Sequence, residues 1–172
     1  LALSQFVELS HRDFAIATAG SIAFGGLTGG LALLSQAIPN ANFSKFASAG
    51  GALGFGGLAL VVPELRYENP DILLGSTAFA WGGLLGGFIP AYWTENDESI
   101  DKGERNGGIL VGSSLGYLGT LAVSQRIEMK PRHVIAANGG GVLGGSIGLG
   151  LGLLVPFFER NTTTALAQLG VL

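Results

Sequence analysis

The chain has 172 residues, 48% of them hydrophobic and 12% charged, with 30 glycines, no cysteine and a formal net charge of −3. Soluble domains carry about 25% charged residues and about 7% glycine, so this composition, with a mean hydropathy of +0.48, points to lipid as the solvent. The missing cysteine excludes disulfides, thiolate nucleophiles and cysteine metal sites, and the acidic balance offers no basic surface for nucleic acid. Residue 1 is leucine, from which a processed, truncated or longer chain is expected.

Charge is segregated. Every Lys, Arg, Asp, Glu and His falls outside five apolar spans, 14–34, 46–62, 72–93, 107–123 and 134–158. Each is about 17 to 25 residues long, the length a helix needs to cross the roughly 30 Å hydrocarbon core. A single membrane-embedded domain over 1–172, built from about five glycine-rich spans, is the expected organisation.

Residues 1–13 mix apolar and polar types, and Asp13 is the expected N-cap of the first span. That span carries FGGLTGG, in which Gly25 and Gly29 form one i,i+4 pair and Gly26 and Gly30 another. It stops at Ile38-Pro39-Asn40, a turn signal. The second span follows Ser44, a candidate cap, carries Gly50 and Gly54, and stops at Val62-Pro63. The third repeats the first as WGGLLGG, with Gly82 and Gly86 four apart, and ends at Ile89-Pro90; Tyr92 and Trp93 suit a membrane–water interface. An acidic linker, TENDESIDKGERN over 94–106, is expected to be a solvated loop. Gly108, Gly112 and Gly116 then line up in the fourth span. After a basic linker, SQRIEMKPRH, the fifth span places Gly140, Gly144, Gly148 and Gly152 on one helical stripe. Such stripes let a second backbone approach closely. The recurrence every 26 to 34 residues or so reads as an imprecise internal repeat.

Two backbones satisfy their own polar groups in a bilayer, helices and a closed barrel. Span length, hydropathy and four-residue glycine lines favour an all-α membrane protein, about five glycine-zipper transmembrane helices in a tight bundle. The alternative is an all-β transmembrane barrel of about 10–12 strands in an outer membrane. Each span would then be cut at a glycine-pair hairpin, as at FGGL over 24–27 and 55–58 and WGGL over 81–84, with alternation in 118–128 and 147–153. Lys and Arg divide five against four between the two sides of a five-span layout, so the positive-inside rule gives no orientation.

No span contains a Lys, Arg, Asp, Glu or His, so a non-enzymatic protein without cofactor is expected. His11 and His133 sit at span edges without a second ligand at metal-binding spacing, and no metal site is expected. Asp97, Glu98, Asp101 and Glu104 do not match a calcium-loop spacing. GGGVLGG and FGGLTGG lack the Lys-Ser/Thr of a phosphate loop and read as packing glycines. Asn138 is the most polar side chain deep in a span, fit either to bond across a helix interface or to line a polar pathway.

The glycine spacing resembles that of the Tim17/Tim22/Tim23 membrane family, whose four helices pack through glycine motifs, and of bacterial glycine-zipper membrane domains. The resemblance implies a closely packed helical membrane protein. It carries over no functional residue, because five spans depart from four and the family's charged signature has no match here. The expected role is a structural subunit or scaffold of a membrane assembly, with the lipid bilayer, further copies or other membrane subunits as partners. A porin-like or surface barrel and a channel or carrier subunit are the alternatives.

Overall fold

The computed structural model describes residues 9–35, 42–65, 67–92, 102–128 and 130–154. Five helices account for nearly all of them: α1 His11–Leu34, α2 Phe43–Val61, α3 Asn69–Phe88, α4 Lys102–Ser124 and α5 Pro131–Leu154. Short 3-10 turns, Val62–Glu64 and Ile89–Tyr92, follow α2 and α3.

Local chemistry explains the ends. Ser10, not Asp13, caps α1: its hydroxyl accepts from the Asp13 amide at 3.2 Å, and the Asp13 carboxylate accepts from the Ser10 amide at 3.0 Å. This reciprocal box satisfies two otherwise orphaned donors and starts the helix three residues earlier than the apolar span. Ser44 lies inside α2, whose N-cap position falls to Asn42. At α3 the Asp71 carboxylate accepts from the Glu68 amide at 2.8 Å, and Pro70 sits in the first turn, where no intrahelical donor is lost. Pro63 and Pro90 fall in the 3-10 turns that end α2 and α3.

The barrel alternative is overturned for the described residues, which contain no strand. The glycine pairs read as hairpins, at 25–26, 56–57 and 82–83, lie mid-helix. Alternation in 118–128 has a different origin: 118–124 is the last part of α4, where Thr120 and Ser124 return their hydroxyls to the carbonyls of Gly116 and Leu121 at 2.9 and 3.2 Å. Hydroxyls satisfied this way can face a helix interface without a partner across it. The stretch 147–153 is likewise helical.

Packing sets the helices in a row, α2–α1–α4–α3–α5, rather than in a closed tight bundle. Neighbours α2/α1, α1/α4 and α4/α3 run antiparallel, while α5 rests lightly on α3 and runs parallel to it. A small core of Ile16, Val62, Tyr67 and Leu121 closes the end at which α1, α3 and α5 begin. At the same end Phe14 of α1 meets Phe55 of α2 edge to face, centroids 5.7 Å apart.

Elsewhere the size distribution is inverted. Buried positions are mostly Gly, Ala, Ser and Thr, whereas Leu53 is 77% exposed, Leu143 66%, Ile135 65% and Ile22 63%. Water would penalise that arrangement by about 25 cal/mol for every Å² of apolar surface left uncovered. In lipid it costs nothing, and small residues inside let backbones approach. Three helical segments, His11–Leu34, Phe43–Glu64 and Lys102–Ser124, have the length and hydropathy to cross a membrane.

Candidate functional site

The helix interfaces are the candidate functional surfaces. The closest is α3 against α4. Ala78, Gly82 and Gly86 of α3 face Gly116, Gly112 and Gly108 of α4 in antiparallel register. A Cβ built on Gly82 would fall on the Gly112 carbonyl, one on Gly86 on the Gly108 carbonyl, and one on Gly116 on the Ala78 carbonyl. The contact is reciprocal, since a Cβ on Gly112 would fall on the Gly82 carbonyl and lie 2.9 Å from the Gly86 Cα. Each backbone therefore sits where the other's side chain would be, a distance at which weak Cα–H···O contacts form.

The α1/α2 interface is looser and adds hydroxyls. Gly25 faces Ala47, whose carbonyl oxygen is 2.8 Å from the built Cβ, and Gly29 faces the Phe43 ring at 2.6 Å. Ser21 donates to the Gly51 carbonyl and Thr28 to the Phe46 carbonyl, each at 2.8 Å, so two hydrogen bonds link α1 directly to the α2 backbone.

At the α1/α4 interface the second glycine pair of FGGLTGG is used. A Cβ on Gly30 would lie 2.8 Å from the Gly107 carbonyl oxygen, and one on Gly26 2.7 Å from the Ser114 hydroxyl. The offset pairs thus serve two neighbours, Gly25/Gly29 toward α2 and Gly26/Gly30 toward α4. Of these positions Gly107, Ser21 and Thr28 were not among the expected packing residues. The one-residue offset in FGGLTGG was the available signal for Gly26 and Gly30.

Expected packing positions in α5 behave differently. Nothing lies within 4 Å of a Cβ built on Gly139 or Gly140. Gly144 is half-buried, Gly148 is buried, and Gly152 falls in the last turn of α5. Residues 155–158 of the fifth span lie outside the described residues.

What joins α5 to α3 is polar. The Trp81 indole N–H donates to Asn138 Oδ1 at 2.7 Å, and Asn138 Nδ2 donates to Thr77 Oγ1 at 3.1 Å and to the Val134 carbonyl at 3.0 Å. Because an indole only donates, Trp81 fixes which way the amide points. Gly141 completes the contact, with its built Cβ 3.1 Å from the Trp81 ring. Asn138 is therefore placed as a bridge between two helices, with both amide protons used.

Tyr67, between the spans, is the other unusual polar group. Its side chain is buried at 6% exposure, and its hydroxyl has no partner in hydrogen-bonding geometry. Burial pushes its pKa up to about 12; the nearby Ser124 hydroxyl opposes the shift, and Tyr117 and the Asp71 carboxylate add to it. The neutral phenol is thus the form the fold prefers. Stability from this site is intact below about pH 10, the value of a free tyrosine, and is lost as pH rises toward 12. In an alkaline titration followed by phenolate absorbance, Tyr67→Phe should remove a step near pH 12 and flatten the loss of stability above pH 10. An unchanged titration would contradict the assignment.

The remaining sequence candidates are dispersed. His11 opens α1 and His133 lies in the first turn of α5, both exposed. Glu104 sits in the first turn of α4, and Asp97, Glu98 and Asp101 lie outside the described residues. Taken together, fold and interfaces define an all-α protein with apolar helices suited to a bilayer. No protein-family profile, curated protein or solved structure matches the chain.

Proposed function

We propose that this chain is a non-enzymatic integral membrane protein, a structural subunit or scaffold whose helices zip together through glycine. One observation carries the reading: small residues occupy the interfaces while Leu, Ile, Val and Phe cover the outside. The arrangement suits a protein whose outer surface meets lipid tails and whose interfaces need close van der Waals fit.

A row of helices also keeps surfaces that its own packing does not use. Gly56 and Gly57 of α2 and Gly139 and Gly140 of α5 have no neighbour within 4 Å of a built Cβ. These faces are where another copy or another membrane subunit would pack. Expressed in cells, the protein should float with liposomes and resist alkaline extraction. Recovery in the soluble fraction would sink the membrane reading. Gly140→Leu should leave the helical signal unchanged and lower the assembled mass on a native gel; an unchanged mass would remove α5 as the assembly face.

A further inference from the structure

Two contiguous hollows open on one face of the row, above the α1/α2 and α1/α4 contacts. The first, about 460 Å³, is lined by Ser21, Gly25 and Gly26 of α1, Ala47 and Gly51 of α2, and Leu110 of α4. The second, about 430 Å³, carries the groove along α1 to Leu33 and ends beside Asn106; Phe43 and Leu110 line both. The groove exists because α1 stands between α2 and α4 and presents Ser21, Gly25 and Gly26 along this face, with Ile22 and Leu33 as its larger lining side chains.

Its length matches one leaflet. Ser21 lies near the middle of α1 and Leu33 near its end, twelve positions further on. At about 1.5 Å per residue that is roughly 18 Å, against about 15 Å for half of a hydrocarbon core. The lining contains no charged side chain. At the outer end the chemistry changes. Asn106 is exposed, and Lys102, also exposed, lies four positions before it on the same helix face. Because helical side chains lean toward the N-terminus, Lys102 extends beyond the groove toward the surface. Glu104, two positions from Lys102, falls on another side of α4.

We propose that this groove binds a glycerophospholipid with an anionic headgroup, one acyl chain lying along α1 and the phosphate meeting Lys102 and the Asn106 amide. The inference rests on the membrane reading above. An apolar trough one leaflet deep fits the chain, and a lysine at its mouth complements the phosphodiester and added headgroup charge.

The test uses the full chain in maltoside micelles, titrated with phosphatidylglycerol or phosphatidylcholine and read by native mass spectrometry. One tightly held lipid per chain is expected, with phosphatidylglycerol preferred about fivefold, the worth of one lysine near a lipid headgroup. Ala52→Phe, at an exposed position lining the groove, should abolish the bound lipid. Leu53→Phe, 77% exposed and outside the lining, should not. Lys102→Gln should erase the headgroup preference while retaining the lipid. Lipid binding unchanged by Ala52→Phe, or equal binding of both lipids to the parent, overturns the proposal. So does a dimer that Ala52→Phe dissociates, because a second chain would then occupy the groove. Flotation with liposomes separates the two levels: a parent that floats without a selective lipid defeats only the groove, and one that does not float defeats the membrane reading.

Discussion

Gly112→Ala, the addition of one methyl group, is expected to cost about 3 kcal/mol or more. Overpacking a core typically costs 1–3 kcal/mol because neighbouring side chains shift to make room. Here nothing can rotate aside, since the new Cβ meets the Gly82 carbonyl and the Gly86 Cα, both backbone. Relief requires α3 and α4 to separate, and that would also open Gly86/Gly108 and Ala78/Gly116. Gly119 of the same helix provides the control, because a Cβ there meets nothing within 4 Å. Gly119→Ala should be neutral or stabilising by up to about 1 kcal/mol, the helix-propensity difference between the two residues. Unfolding in mixed micelles followed by circular dichroism measures both. Equal midpoints for the two variants would refute the close α3/α4 packing.

The second large effect is expected at Asn138. Asn138→Ala removes both interhelical bonds and leaves the Trp81 indole N–H without its acceptor. Interhelical hydrogen bonds in membranes average about 0.6 kcal/mol and reach about 1.7, and an orphaned donor, costing about 1–3 when fully buried, adds less than that at the half-buried Trp81. A loss of about 2 kcal/mol is expected, concentrated on α5. The other four helices hold one another through α2/α1, α1/α4 and α4/α3 without it. Hydrogen exchange should therefore rise in 131–148 and stay near the parent level in α1 and α4. Trp81→Phe should do the same, and the double variant should be little worse than either single one, because both remove the same bond. Independent, additive losses would show that Asn138 and Trp81 act separately.

Helices rather than strands were legible in the sequence because uncharged spans of helical length leave few other solutions. Their ends were less so. The spans were bounded by charge, yet Ser10 and Asp13 start α1 among polar residues, and α4 begins at Lys102, well inside the stretch read as a solvated loop. Glycine spacing singled out Gly82, Gly86, Gly108 and Gly112, which sit four apart, but not the antiparallel register in which α3 and α4 bring them together. It did not tell which helices pair. Gly140 obeys the same rule as Gly112 and has no neighbour near its built Cβ, because spacing describes one helix and says nothing of its partner. A row was equally invisible: closure depends on how many faces of each helix find a neighbour. The Trp81–Asn138 bridge joins positions 57 residues apart, and only one half of it, an asparagine deep in an apolar span, stood out.

The inverted distribution of size also governs how this chain can drift over time. Outward positions such as Leu53, Ile135 and Leu143 need only remain greasy, so Leu, Ile, Val, Phe and Met can replace one another there at little cost. Inward positions tolerate almost no added atom. Lineages that keep this architecture would therefore diverge across most of their length and stay fixed at a sparse lattice of glycines and hydroxyls. Ancestry in such a protein is written in the residues with the least side chain.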